Sequence, residues 1–344
     1  MSRNISSCSR KSKSYYYQLL QNRRGGAIVM TSREGLEFWQ RDIKESVDYY
    51  NHWYRSTVSR KYYSIRNSIS QQVQSLFDCT NDLLDCNVAY MKEKPDCINY
   101  LRFITAPPIS RERLCGLSHV PLTILKGLES GRRVDDGDEE KLSSLASLLE
   151  CLLAFHDQEL FPWLNGGERS FELRDKALCV VVDRMSQTVV DTVMRNEQEK
   201  RQLHVISEYL HTKGYQFIHP RKVADFRRMP VGSYTFHLNV PVTMADEYAV
   251  NISVDVLIKR FSMGVKSFPL LIECKSSGDY TNTNKRRKEE AVKMQQLRRV
   301  YGDDIKFILF LGGYFNLGYL QYESAEGISW IWEHRITDLG IHGV

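Results

Sequence analysis

Two segments of the C-terminal half decide the fold of this chain: residues 251–259, Asn-Ile-Ser-Val-Asp-Val-Leu-Ile-Lys, and residues 269–275, Pro-Leu-Leu-Ile-Glu-Cys-Lys. Short runs rich in aliphatic and β-branched residues are typical of β-strands. Because alternate side chains of a strand point to opposite faces, the first segment is expected to place Asp255 on its more polar face. The opposite face is expected to carry Ile252, Val254, Val256 and Ile258.

The second segment is expected to place a carboxylate and an amine side by side, because Glu273 and Lys275 are two residues apart and share a strand face. The residues between the two segments include Gly264 and are numerous enough to form a hairpin loop. Pairing of the two strands would therefore bring Asp255 next to Glu273.

Two carboxylates that lie next to each other repel unless a cation neutralises their charges. Oxygen ligands favour a hard divalent cation, and Mg²⁺ is the natural candidate. An ion held by Asp255 and Glu273 would polarise a phosphoryl oxygen, and Lys275 would orient or deprotonate the attacking water. The residues alone also fit a simpler interpretation, in which Glu273 and Lys275 form a salt bridge at a strand end and Asp255 forms a turn.

The sequence around these segments alternates strand-like and helical stretches. Strands are predicted near residues 235–240, 251–259, 270–275, 306–311 and 329–334. This alternation favours a mixed sheet flanked by helices, and the residues before it are predicted to be mostly helical.

A longer segment from Leu270 carries a family resemblance: Leu-Leu-Ile-Glu-Cys-Lys-Ser-Ser-Gly-Asp-Tyr-Thr-Asn-Thr-Asn-Lys-Arg-Arg-Lys-Glu-Glu. It resembles the XamI group of type II restriction endonucleases, within the PD-(D/E)XK nuclease superfamily. Further runs resemble this group at residues 105–110, 161–163, 195–197, 301–304 and 307–311. The likeness therefore covers about residues 100–344.

This resemblance implies an α/β, restriction-endonuclease-like fold, with a mixed sheet flanked by helices and an N-terminal, mostly α-helical domain. It implies a homodimer that uses Mg²⁺ to cut double-stranded DNA at a short palindrome, with GTCGAC as the suggested sequence, and that leaves 5′-phosphate ends. A cognate DNA methyltransferase would be its genetic partner. Asp255, Glu273 and the backbone carbonyl of Cys274 would hold the ion. Val254 stands where the superfamily commonly has proline.

The predicted domains are a flexible basic arm at residues 1–32, a helical domain for DNA recognition or dimerisation at residues 33–175, and a catalytic domain at residues 176–344. Two other functions remain open. One is a nuclease of the same fold that acts in repair, in transposition or on methylated DNA. The other is a non-catalytic DNA-binding module, although such a module has no reason to retain Asp255, Glu273 and Lys275 together.

The superfamily often adds a third acid from a helix before the sheet, and residues 187–211 are predicted to form that helix. Glu199 is the preferred candidate because it lies one turn before Leu203 on the apolar stripe. Glu197 and Glu208 are its rivals. Any of the three also fits an ordinary solvated helix carboxylate.

A second cluster follows the site, where Asn282-Thr283-Asn284 is predicted to cap a helix whose first turn is Lys285-Arg286-Arg287-Lys288. Cations oppose the helix dipole at this end, and bound phosphate would relieve the repulsion. DNA contact by Asn282, Asn284 and the four basic residues is therefore favoured. The alternative is a solvated basic face, partly screened by Glu289 and Glu290.

Composition limits the other classes of function. The net charge is only +5, from 47 basic and 42 acidic residues, so affinity for DNA must come from local clusters. No apolar run approaches the length that spans a membrane. The eight cysteines lack the spacing of a zinc site, and free thiols in a reducing cytoplasm are expected.

Overall fold

The computed structural model describes residues 33–243, 249–262, 264, 267–281 and 283–344. These residues form two compact units, one made of residues 33–55 and 195–344 and the other of residues 56–194. The predicted basic arm, residues 1–32, lies outside the described residues. The predicted division into domains at residues 33–175 and 176–344 stays a prediction.

Helices dominate the first half of the chain, as the sequence predicts. They are α1 Arg33–Cys79, α2 Val88–Glu93, α3 Ile98–Leu101, α4 Arg111–Ser118, α5 Leu122–Glu129, α6 Glu139–Ala154 and α7 Phe171–Thr212. Helix α7 contains residues 187–211, for which a helix is predicted. The unit of residues 56–194 has its own apolar core, in which Val73, Phe77, Leu101, Leu145 and Val181 are fully buried.

The start of α6 illustrates how the sequence sets these boundaries. The side chain of Asp138 accepts a hydrogen bond from the backbone N–H of Lys141 at 3.1 Å, which satisfies one of the free amides of the first turn. Glu139 and Glu140 follow in that turn. Their negative charges interact favourably with the positive end of the helix dipole.

A mixed sheet forms the centre of the unit that contains residues 195–344. Its strands are β1 Gln216–Phe217, β2 Ser233–Thr243, β3 Ala249–Lys259, β4 Leu270–Ser277, β5 Lys306–Gly313 and β6 Ser329–Trp332, and they lie in this order across the sheet. Strand β3 is antiparallel to β2 and to β4, and the other neighbouring pairs are parallel. The predicted α/β fold with a mixed sheet is confirmed. The last strand ends two residues earlier than predicted, because a 3₁₀-helix begins at Glu333.

Helices cover both faces of this sheet. Alternate residues of β5 belong to two different apolar clusters: Leu309 packs with Leu297 of α8, Thr283–Tyr301, whereas Phe310 packs with Ile206 and Leu210 of α7. Helices α7 and α8 therefore lie on opposite faces. Helix α9, Leu317–Ala325, adds Tyr319 and Leu320 to the cluster on the α8 side.

The four apolar residues predicted to share one face of β3, Ile252, Val254, Val256 and Ile258, are all buried, but they do not share one cluster. Ile252 and Val254 belong to the cluster on the α8 side, and Val256 and Ile258 to the cluster on the α7 side. The division falls opposite His237 of β2, whose backbone is left-handed with φ 51°. A left-handed residue interrupts the regular alternation of a strand pair.

No helix in the described residues is long and apolar enough to cross a membrane. The cysteines of the described residues are all free, as expected. Cys86 and Cys97 are buried, whereas Cys179 is exposed.

Candidate active site

Side chains from α7, β3 and β4 meet around one cavity of about 350 Å³. The cavity belongs to the unit of residues 33–55 and 195–344. All four residues predicted to be catalytic, Asp255, Glu273, Lys275 and Glu199, lie in its wall. The remaining wall residues are Arg195, Gln198, Gln202, Cys274 and Ser276.

Asp255 and Glu273 are neighbours across the β3–β4 pair. The antiparallel register pairs Val256 with Ile272, so Asp255 and Glu273 are the next residues along the two strands. The backbone N–H of Cys274 donates to Oδ2 of Asp255 at 2.8 Å. This hydrogen bond fixes the Asp255 carboxylate beside Glu273, where the strand alternation predicts it.

Lys275 lies between two carboxylates. Its Nζ is 2.9 Å from Oε1 of Glu273 and 2.9 Å from Oε1 of Glu290 on α8. Lys293 also donates to Oε1 of Glu273. The alternative of a solvated basic face requires Glu290 to screen the basic turn from solvent. The side chain of Glu290 is instead fully buried. Glu290 is a partner of Lys275.

These partners keep Lys275 protonated. Burial lowers the pKa of Lys275, but the carboxylates of Glu273 and Glu290 together outweigh burial and raise this pKa above its usual range. Lys275 is therefore an ammonium ion at neutral pH and has no lone pair with which to accept a proton. The geometry favours the orienting role over the deprotonating role.

The carboxylate pair fits a divalent cation. Burial and then the negative charge of Glu273 raise the pKa of Asp255 from 3.8 to about 6. Oε2 of Glu273 is buried and accepts no hydrogen bond from any residue that the structure describes. A buried oxygen without a partner is destabilising, and a hard cation would both neutralise the pair and use this oxygen as a ligand. The oxygen donors of Asp255 and Glu273 are thus suited to Mg²⁺.

Of the three candidate helix acids, only Glu199 lines the cavity. Glu197 is half-buried and lies 3.8 Å from Lys200, and Glu208 is exposed. Oε1 of Glu199 lies 3.5 Å from Nε2 of His237. The structure therefore brings Glu199 to Asp255 and does not bring Glu197 or Glu208 to the cavity.

Gln202 is a buried residue of the site that the sequence analysis missed. Its Nε2 donates to the backbone oxygens of Lys275 at 3.1 Å and of Phe310 at 3.2 Å. These bonds attach α7 to the C-terminal halves of β4 and β5. The available signal was helical spacing, because Gln202 lies three residues after Glu199 and four before the fully buried Ile206.

A buried ion pair supports the same turn of α7. Arg201 Nε and Nη2 donate to the two carboxylate oxygens of Glu333 at 2.6 and 2.7 Å. We expect Arg201→Met to lower the free energy of unfolding by about 3–5 kcal/mol, because it leaves a buried carboxylate unpaired. Denaturant unfolding measures this loss. Arg227→Met, which breaks an exposed pair with Asp225, is the control and should change stability little. Equal losses in the two variants would contradict the assigned role of Arg201.

The basic turn after β4 is described only in part. Helix α8 begins at Thr283, and Lys288 in its second turn is exposed. Asn282 lies outside the described residues, as do the side chains of Asn284, Lys285, Arg286 and Arg287. Their predicted contact with DNA stays a prediction.

Comparison with known proteins agrees with this site. The family model of the XamI restriction endonuclease matches residues 81–332. The type II restriction enzyme SalI of Streptomyces albus G is 39% identical over 310 residues, which cover 89% of this chain and 97% of that enzyme. The match to a crystal structure of protein VC1899 from Vibrio cholerae covers 73% of this chain and 55% of the VC1899 chain, with 13% sequence identity. Its TM-score of 0.27 is too low to support a conclusion about the fold. The match to the family model and the similarity over nearly the whole of a restriction enzyme place this chain in the XamI restriction endonuclease family.

Proposed function

We propose that this restriction endonuclease uses Mg²⁺ to hydrolyse double-stranded DNA at a short palindromic site, leaving 5′-phosphate and 3′-hydroxyl ends. Family membership makes the chain a site-specific deoxyribonuclease. The observation that carries the finer proposal is the buried Oε2 of Glu273, which lacks a hydrogen-bond partner among the described residues, on a residue that neighbours Asp255 across the β3–β4 pair. The carboxylate oxygens of these two residues suit the ion that phosphodiester hydrolysis requires.

Each residue of the cavity has a proposed role. Asp255, Glu273 and the carbonyl of Cys274 hold the ion, which supplies a Lewis acid and a more acidic water when bound. The ammonium of Lys275 orients the attacking water and stabilises negative charge that develops on the phosphate. Glu199 adds a third carboxylate at the solvent-exposed side of the cavity.

The target and the assembly are proposals of the same kind. The likeness to the XamI group suggests GTCGAC. A palindrome offers two equivalent strands, so we propose a two-fold symmetric homodimer with one cavity for each strand. Light scattering should give twice the mass of the chain with or without DNA. A monomer under both conditions would contradict the dimer.

We propose that Asn282, Asn284 and the four basic residues Lys285, Arg286, Arg287 and Lys288 contact DNA. Each phosphate contact displaces counterions and makes binding dependent on salt. Lys288→Gln should therefore weaken binding to all duplexes similarly and reduce the slope of log affinity against log salt by about 1. Lys200→Gln, a change of an exposed lysine on α7, is the control. An unchanged slope in Lys288→Gln would remove Lys288 from the interface.

Digestion of unmethylated phage DNA, with Mg²⁺ or with EDTA, tests the proposed function. We expect discrete fragments only with Mg²⁺, and sequencing of their ends should read 5′-phosphates at one palindrome. Cleavage restricted to methylated DNA would favour the methylation-dependent alternative. No cleavage of either DNA by folded protein with Mg²⁺ would favour a non-catalytic module.

A further inference from the structure

A cluster of three potential metal ligands extends from the cavity toward solvent. Glu199, His237 and Asp255 each place one ligand atom within 4.8 Å of the other two. They belong to three different elements, α7, β2 and β3. His237 was not among the residues that the sequence predicts for the site, because a single histidine in a strand carries no ligand spacing.

The backbone of β2 is distorted where His237 faces Asp255. Phe236 pairs with Val256 and Leu238 pairs with Val254, which leaves His237 opposite Asp255. The ligand atoms of the two side chains lie within 4.8 Å of each other. The φ of His237 is 51°. A left-handed conformation is unfavourable for a residue with a side chain, and such distortions concentrate at functional sites.

An ordinary ion pair does not account for this arrangement. The side chains of His237 and Glu199 are 49% and 46% exposed, and their nearest charged atoms are 3.5 Å apart. Such an exposed pair contributes little to stability, even when the histidine is protonated. An ion pair between His237 and Glu199 also does not involve Asp255, whose ligand atom lies within 4.8 Å of both side chains.

The other side of Asp255 faces the proposed Mg²⁺ site. Glu273 is only 4% exposed, and its Oε2 accepts no hydrogen bond from the described part of the chain. Asp255 therefore lies between two exposed groups, which an ion can reach from solvent, and Glu273 of the proposed Mg²⁺ site.

We propose that Glu199, His237 and Asp255 bind a second divalent cation beside the proposed Mg²⁺, and that Nε2 of His237 makes this second site selective for Mn²⁺ or a similar transition metal. Imidazole nitrogen is a good ligand for first-row transition metals, whereas Mg²⁺ prefers oxygen. The inference rests on the proposed function for the role of Asp255. It adds a ligand and a metal preference that carboxylates alone would not give.

Pulsed electron paramagnetic resonance of the full chain with two equivalents of Mn²⁺ tests this site. Imidazole coordination couples the Mn²⁺ electron spin to a ¹⁴N nucleus, so we expect this coupling in the wild type. It should disappear in His237→Asn, a substitution chosen because asparagine tolerates left-handed backbone. His204→Asn, which changes an exposed histidine of α7, is the control and should keep the coupling.

Titration of the free Mn²⁺ signal gives the number of sites. We expect two bound ions per chain in the wild type and one in His237→Asn, because loss of the nitrogen ligand should weaken this site by about tenfold or more. Bound Mn²⁺ without ¹⁴N coupling, or coupling that persists in His237→Asn, would overturn the inference. If either result is found and the wild type still cleaves DNA with Mg²⁺, the proposed function stands and only the second metal site fails. If folded wild-type protein binds neither Mn²⁺ nor Mg²⁺ and does not cleave, both fail.

Discussion

Lys275→Met should reduce cleavage by about 10²–10³-fold or more, because it removes the cation proposed to orient water and stabilise charge at the phosphate. The same change should destabilise the fold. Glu290 is fully buried, and its carboxylate lies 2.9 Å from Lys275. Leaving such a carboxylate unpaired costs about 3–5 kcal/mol. Single-turnover cleavage and denaturant unfolding measure the two effects.

A double variant separates catalysis from stability. Lys275→Met with Glu290→Gln removes both charges of the pair, and Glu273 keeps its contact with Lys293. We expect most of the lost stability to return while cleavage stays as slow as in Lys275→Met. If the double variant cleaves at the wild-type rate, Lys275 is not part of the catalytic machinery. If it remains as unstable as Lys275→Met, the unpaired Glu290 is not the source of the instability.

Asp255→Asn should abolish Mg²⁺-dependent cleavage and yet stabilise the metal-free protein at pH 8. Burial, followed by the charge of Glu273, raises the pKa of Asp255 from 3.8 to about 6. The folded state therefore binds a proton more tightly than the unfolded chain does. Ionised Asp255 opposes folding above about pH 6, and this penalty disappears as the pH falls toward 4. A neutral asparagine avoids the penalty and can still accept the hydrogen bond from Cys274.

The stability curve against pH tests this expectation. In EDTA, the gain of Asp255→Asn over the wild type should be about 1–3 kcal/mol at pH 8 and should vanish near pH 4. Mg²⁺ should raise the melting temperature of the wild type and not that of the variant. A gain that is the same at both pH values would contradict the raised pKa of Asp255. Cleavage by the variant at the wild-type rate would remove Asp255 from the ion site.

Strand alternation was sufficient to predict the centre of the site. The residues around Asp255 and Glu273 form neighbouring antiparallel strands, since a short linker and two apolar segments leave few other ways to bury them. Helical spacing was enough to choose Glu199 as the acid that reaches the cavity. Both predictions depend on local periodicity, which a sequence displays directly.

The partners of Lys275 could not be predicted in this way. Glu290 follows the basic turn and was grouped with the solvated charges around it, yet it lies on the buried side of α8 with Met294 and Leu297. Its burial depends on the ammonium that β4 brings to the same place. Such a contact joins two elements and leaves no periodic signal.

The distortion of β2 is likewise invisible in the sequence. Histidine at position 237 fits an ordinary strand, and only the pairing with β3 shows that its left-handed backbone lies opposite Asp255. The same distortion divides the apolar residues of β3 between the two faces of the sheet. Local propensity describes each strand separately and does not include this interaction between strands.

Asp255 and Glu273 are proposed to hold the catalytic ion. Anomalous scattering from crystals of the protein with Mn²⁺ and a GTCGAC duplex would locate that ion. We predict a peak within about 2.0–2.6 Å of both carboxylates, with a DNA phosphate beside it and Lys275 facing that phosphate. An ordered duplex whose cleaved phosphate and Mn²⁺ lie away from Asp255 and Glu273 would contradict the account.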